Sequence, residues 1–247
     1  MQDCTAIVTG HSRGLGAAVA ASLLRRGIPT LGLSRHGHPD LARRHPGLLQ
    51  EVALDLADSA ALGAWLAGPA LADRVRGRGQ VLLVNNAGVL EPVGPLPMQD
   101  PAAVAKAVAV NVAAPLMLAA AVVAATGPDQ DRRILHVSSG AARNAYAGWS
   151  VYCATKAALD QHARAVALDR TPGVRICSLA PGVIDTDMQA SIRAAGLDAF
   201  PMRARFEALK AQGQLASPAD CAERLVAHLL GGSFGREPAA DLRELAA

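Results

Sequence analysis

Short runs of leucine and β-branched residues alternate along the chain with alanine-rich segments of helical length. Residues 5–10 (TAIVTG) read as a first strand, and 14–27 (GLGAAVAASLLRRG) as the helix that follows and stops at Gly27. Residues 30–35 read as a second strand, a third lies within 48–56, and a weak helix covers 62–71. Residues 80–88 (QVLLVNNAG) form a fourth strand with a glycine stop, 102–125 a long helix, 133–140 a fifth strand, 151–170 a helix and 174–182 a sixth strand. Strands apolar on both faces and separated by helices predict a parallel sheet covered on both sides. The expected fold is therefore a doubly wound α/β (Rossmann) fold, with residues 1–247 forming a single domain. Residues 185–215 break the alternation and are rich in Met, Phe and Arg. They follow the carboxyl end of a strand, where ligands bind in such sheets, and are a candidate substrate lid. The C-terminal PAADLRELAA carries a weak pattern for a last short strand.

Composition narrows the picture. Half of the 247 residues are hydrophobic (51%) but only 3% are aromatic, so the core is built from Ala, Leu and Val. The formal charge is +3 and no block of like charges occurs, which argues against a nucleic-acid or membrane surface. Cys4, Cys153, Cys177 and Cys221 show neither CxxC nor a partnered His spacing, so neither a metal site nor a disulfide framework is expected. Reduced thiols and an N-terminus without a signal-peptide pattern point to the cytoplasm. The apolar tract at 102–125 is broken by Lys106, Asn111 and Pro115 and reads as a buried or interface helix, not a membrane span.

Two patterns carry chemistry. TGHSRGLG (9–16) joins the first strand to the first helix with Gly10, Gly14 and Gly16. Glycines there let backbone N–H groups approach a pyrophosphate at a helix N-terminus; a plain tight turn is the competing reading. No carboxylate stands at the end of the second strand, where an NAD ribose would be bound; Ser34 and Arg35 stand there instead. With Arg13 of the turn they suit a 2′-phosphate, hence NADP, unless Arg35 is an ordinary loop arginine. In WSVYCATKAALD (149–160), Tyr152 and Lys156 share a helix face at i, i+4. The chain has only two tyrosines and three lysines, so chance pairing at this offset is rare. An ammonium near a phenol favours the phenolate and lowers its pKa, which suits proton exchange. Ser139, at the end of the fifth strand, offers a hydroxyl to the same carbonyl, though capping a helix would also account for Ser138 and Ser139.

These residues carry a resemblance to the short-chain dehydrogenase/reductase family. The matches run in the family's order: TGxxxGxG at 9–16, Asp55, NNAG at 85–88, Asn111, Ser139 with Tyr152-x3-Lys156, and PG-x3-T at 181–186. The resemblance implies roles residue by residue. Tyr152 would be the general acid in reduction, Lys156 would lower its pKa and bind the nicotinamide ribose, and Ser139 would polarise the carbonyl. Asn111 would hold a water of a proton relay. Thr9, Gly10, Ser12, Arg13, Gly14, Leu15 and Gly16 would cradle the cofactor, Asp55 and Leu56 would flank the adenine, and Asn86, Ala87 and Gly88 would pack along it. Pro181, Gly182, Ile184 and Thr186 would bind the carboxamide.

Within that family the stretches 138–160, 180–189 and 206–225 are similar to benzil reductases that form (S)-benzoin and to sepiapterin reductases. By that analogy Tyr146, Trp149 and Met188 wall the substrate pocket, although Trp149 also suits a core or interface position. Asp241 is a counterpart of the aspartate that anchors the pterin in sepiapterin reductases, but its surroundings differ, which favours a dicarbonyl or aryl-ketone substrate. The family's habit of packing the two Ala-rich helices against copies of themselves implies a homodimer or homotetramer. A 3-oxoacyl-thioester reductase and a non-catalytic NADP-binding sensor are the alternative functions. The complete Ser139, Tyr152, Lys156 and Asn111 set argues against a sensor, which has no need of a tuned tyrosine.

Overall fold

In the computed structural model, which describes residues 3–194, 196 and 198–245, seven parallel strands form one sheet. The strands are β1 (Cys4–Thr9), β2 (Thr30–Ser34), β3 (Leu49–Ala53), β4 (Gln80–Asn85), β5 (Asp131–Val137), β6 (Val174–Ala180) and β7 (Ala239–Asp241). Their order is β3-β2-β1-β4-β5-β6-β7. The chain thus winds outward one way from β1, returns, and continues the other way from β4. This reversal opens a crevice at the carboxyl ends of β1 and β4.

Side chains of the central strands alternate between two cores, as a pleat requires. Ala6, Val8, Leu82, Val84, Leu135 and Val137 face α1 (Gly14–Arg25) and α10 (Pro218–Leu230) through Val19, Leu23, Leu225 and Leu229. Ile7, Leu31, Leu33, Val81, Leu83 and Ile134 face the other side, against Leu62, Leu71, Leu118, Val122 and Ala163. Those partners come from α3 (Ser59–Ala67), α4 (Pro69–Val75), α6 (Ala114–Ala124) and α7 (Ser150–Asp169). The doubly wound expectation holds, including the short last strand.

Differences from the sequence reading have local causes. The weak helix at 62–71 is two helices, because Pro69 starts a new one after Gly68. A short helix absent from the sequence reading, α2 (Pro39–Arg44), precedes β3 with Pro at its first turn. The long helix at 102–125 is α5 (Pro101–Val108), a π-helical turn (Ala109–Ala113) and α6. As one 24-residue stretch it is apolar enough to cross a membrane, yet Ala114, Leu118, Ala119 and Val122 are packed in the core. Residues 185–215 hold α8 (Asp187–Ala194) and α9 (Arg203–Ala211), and Ile184 and Ala216 pair in an isolated bridge that closes the segment at its base.

Candidate active site

The glycine-rich turn occupies the crevice. Gly10 and Gly14 have φ of +69° and +57°, the left-handed region that favours glycine. Gly16 is required for a different reason: a Cβ there would lie 2.1 Å from the Gly10 carbonyl oxygen and 2.4 Å from Asn86 Nδ2. The β4 end is stapled to this turn. Thr9 Oγ1 accepts from the backbone N–H of Asn86 and of Ala87, both at 3.0 Å, and Asn86 Nδ2 donates to the Thr9 carbonyl at 3.0 Å. Helix α1 has Arg13 at its N-cap position, with no side-chain cap and no acidic residue in its first turn. Asp58, Asp100 and Ser217, by contrast, cap α3, α5 and α10. The α1 N–H groups therefore fit an anionic group bound in the crevice.

The predicted cofactor residues are not all alike. Leu15 and Leu56 are core residues. Asp55 turns its carboxylate back onto the Ala57 N–H at 3.0 Å. Ser34, expected at a 2′-phosphate, is buried and its hydroxyl is engaged. It donates to the His36 carbonyl at 2.6 Å and lies 3.2 Å from His11 Nδ1. His11 is a residue that sequence reasoning missed. It is fully buried above Gly32, where a Cβ would sit 2.5 Å from its ring, and its Nε2 meets Glu51 Oε1 at 2.7 Å. Burial alone would raise the Glu51 pKa, but bonds from the His38 N–H and His11 hold it below the usual carboxylate range. The arginines remain outside this latch. Arg35 is exposed, and Arg13 meets Asp187 at 3.2 Å with both side chains largely in solvent.

At the end of β5, Ser139 caps the Gly140–Ala142 turn, its Oγ accepting from the Ala141 N–H at 3.2 Å. Tyr152, in the first turn of α7, is hydrogen-bonded to the Ser139 side chain. Lys156, one turn on, is buried; its Nζ donates to the Val137 carbonyl at 2.8 Å and lies 5.7 Å from the Tyr152 ring centroid. Gly88 faces this group: a Cβ there would stand 3.4 Å from Asn111 Oδ1 and 3.6 Å from Lys156 Nζ. Asn111 sits in the π turn, a feature common at functional sites. Its amide grips Val89, accepting from the N–H and donating to the carbonyl, both at 2.8 Å, and donates to Thr155 Oγ1 at 3.1 Å. The side chain is a brace between the α5–α6 helix, the 85–89 loop and α7.

The Tyr152 shift runs opposite to the depression expected from Lys156. Burial pushes the Tyr152 hydroxyl up to about 12; the Ser139 bond opposes this and Cys153 adds to it. Burial also pulls Lys156 down to about 8, against the pull of Asp160. At neutral pH the phenol carries its proton and the lysine retains its charge.

Over the cluster lies an aromatic roof. Trp149 is buried, stacks on Phe200 (4.5 Å between centroids, 7° between planes) and meets Tyr152 edge-on at 5.6 Å. Tyr146 and Phe206 each lie 5.4 Å from it, and Met188 packs against the same group. Trp149 is therefore the centre of this small core, with Tyr146 and Met188 at its partly exposed margin. Asp241 is paired within its own turn: Arg243 donates Nε at 2.9 Å and Nη2 at 2.7 Å to its carboxylate.

The family model described as short chain dehydrogenase matches residues 4–196. The chain belongs to the short-chain dehydrogenase/reductase family. It is 33% identical to a benzil reductase ((S)-benzoin forming) of Bacillus cereus, covering 86% of this chain and 88% of that protein. It is 34% identical to the sepiapterin reductase of Meriones unguiculatus, covering 92% of each. A short-chain dehydrogenase/reductase from Burkholderia vietnamiensis of known crystal structure is 53% identical, with 99% of each chain covered and a TM-score of 0.73. As a short-chain dehydrogenase/reductase the chain is an oxidoreductase, of a family that uses nicotinamide cofactors.

Proposed function

We propose that this short-chain dehydrogenase/reductase is an NADPH-dependent carbonyl reductase acting on a ketone or vicinal dicarbonyl of the benzil or sepiapterin kind. The observation that carries this reading is the Ser139–Tyr152 hydroxyl pair, its phenol buried, with the buried Lys156 beside it, at the rim of the β1–β4 crevice. NADPH, when bound, supplies the hydride. Ser139 and Tyr152 donate to the substrate oxygen, and Tyr152 gives it a proton as negative charge develops there. A phenol held neutral by burial is the protonation state an acid needs. Lys156 supplies positive charge beneath it and hydrogen-bonds the nicotinamide ribose. Asn111 keeps the 85–89 loop and α7 in register and lends its turn to a proton relay. Gly10, Ser12, Gly14 and the N-terminus of α1 hold the pyrophosphate, Asn86, Ala87 and Gly88 line the cofactor, and Pro181, Gly182, Ile184 and Thr186 take the carboxamide.

One feature favours an aryl dicarbonyl over a pterin: the Asp241 carboxylate is already engaged by Arg243. Residues 185–215 act as the lid, anchored by Phe200 and Phe206 on Trp149. Phe200→Ala should remove about 3 kcal/mol of packing, raise the KM for the carbonyl and open residues 185–215 to limited proteolysis. An unchanged digestion pattern would refute that lid assignment. Exposed Val108 and Leu168, on α5 and α7, suit a homodimer or homotetramer. The cytoplasm is the compartment this reading implies.

With Ser34 engaged, NADP preference rests on Arg35 and Arg13. Arg35→Ala should raise the KM for NADPH about tenfold or more and leave that for NADH little changed, the loss of one charge-assisted contact. Equal effects on both cofactors would remove the 2′-phosphate assignment. The deciding assay for the whole proposal follows NADPH oxidation at 340 nm with benzil, sepiapterin and an acetoacetyl thioester. Benzil turnover supports it, thioester turnover alone makes the chain a 3-oxoacyl-thioester reductase, and NADPH binding without turnover of any carbonyl makes it a sensor.

A further inference from the structure

One buried carboxylate is unused in that scheme. Asp160, 1% exposed, lies one turn beyond Lys156 on the same face of α7. Its Oδ1 accepts from Ser138 Oγ at 2.6 Å and from Ser178 Oγ at 2.8 Å, and its Oδ2 from Arg143 Nε at 3.0 Å. Arg143 in turn donates to the Ala240 carbonyl at 2.9 Å. One side chain thereby ties together α7, the end of β5 next to Ser139, the end of β6, the turn that follows Ser139 and, through Arg143, β7. A buried carboxylate with three donors on two oxygens is a rigid anchor, because loosening any bond leaves charge desolvated.

We propose that Asp160 is a positioning residue of this active site, fixing the Ser139 strand end against α7 and placing a buried negative charge one helical turn from Lys156. This rests on the carbonyl-reductase reading for its consequence in catalysis, but not for its charge. The groups facing Lys156 are few. On α7 they are Tyr152 and Asp160. From β5 comes His136, which burial pulls down to about 3 and so leaves uncharged; its neighbours Asn111 and Gly88 carry no charge. Facing Asp160 across the anchor is Arg143; the Cys177 thiol, on the opposite face of β6, is pushed up to about 12 by burial and so stays neutral. Asp160 is thus the one anion acting on Lys156 among the groups named, and Arg143 is what tempers it.

Opposite variants therefore shift Lys156 in opposite directions. Burial lowers its pKa and Asp160 offsets part of that, so Asp160→Asn moves the lysine titration to lower pH, by about one unit or more. Arg143→Gln leaves the carboxylate less compensated and moves it to higher pH. The chain has three lysines, and Lys106 and Lys210 are exposed, so 13Cε-lysine NMR of the full chain follows Lys156 directly, assigned by its loss in Lys156→Met. The expected result is a downward shift in Asp160→Asn and an upward one in Arg143→Gln, with the alkaline limb of carbonyl reduction following each and kcat falling about tenfold in Asp160→Asn. An unmoved Lys156 titration in both variants would overturn the proposal and leave Asp160 a structural brace. Should Asp160→Asn fail to fold, Arg143→Gln alone decides. Should the wild type reduce no carbonyl, the functional reading falls while the lysine titration still decides the role of Asp160.

Discussion

Tyr152→Phe is expected to lower kcat for carbonyl reduction by about 10²–10⁴-fold, the range for loss of a positioned proton donor. NADPH affinity should stay within a few-fold of wild type. The substitution removes one oxygen and keeps the ring, whose edge-on contact with Trp149 at 5.6 Å holds α7 to the roof. Single-turnover NADPH oxidation, read beside an NADPH fluorescence titration, separates the two effects. A small loss of kcat would mean that Ser139 or solvent supplies the proton. The pH profile makes the assignment sharper. The phenol sits at about 12 and the ammonium at about 8. As pH rises, Lys156 loses its charge long before Tyr152 loses its proton. kcat/KM for NADPH reports the free enzyme, so it should hold below about 8 and decline above it. That limb belongs to Lys156 and should persist in Tyr152→Phe.

The outcome separates what a linear pattern carries from what only three dimensions supply. Strand and helix order was legible because burial on both faces of a parallel sheet leaves apolar runs, and because Gly27 and Gly88 mark where they stop. The Tyr152–Lys156 pair was legible because i, i+4 spacing is itself a statement about one helix face. Ser34 shows what a linear pattern leaves open: a hydroxyl near the right place says nothing about which acceptor it takes, and the His36 carbonyl is two residues away. His11 was invisible because its space exists only where Gly32, from another strand, leaves out a side chain. Asp160 lay inside the stretch that exposed Tyr152 and Lys156, yet its partners Ser138, Arg143 and Ser178 come from three other segments. The π turn around Asn111 was equally hidden, since its sequence, AVNVA, reads as continuous helix.

Gly16→Ala is expected to do more damage at the cofactor crevice than Gly14→Ala, and the contrast tests how that crevice is built. At Gly14 the nearest atom to an added Cβ is Thr186 Cγ2, 3.6 Å away, an ordinary contact. The penalty there is the left-handed φ of +57°, about 1–2 kcal/mol for an L-residue. At Gly16 the backbone suits any residue, but the Cβ would meet the Gly10 carbonyl at 2.1 Å and the Asn86 amide at 2.4 Å. Neither can yield alone. Asn86 is bonded to Thr9, and Gly10 donates its N–H to Leu33 at 2.8 Å. Relief requires α1 to move away from the β1–β4 edge, carrying with it the N–H groups assigned to the pyrophosphate. Overpacking of this kind costs about 1–3 kcal/mol in stability. The displaced helix end should weaken NADPH by about 30-fold or more, since hydrogen bonds to a charged group are worth about 1.5–3 kcal/mol each. Thermal melts and NADPH titrations of both variants read the two costs separately. Gly14→Ala should lose stability with a smaller loss of affinity, and Gly16→Ala should lose both. Equal NADPH affinity in Gly16→Ala and wild type would show that the α1 N-terminus does not hold the cofactor's phosphates.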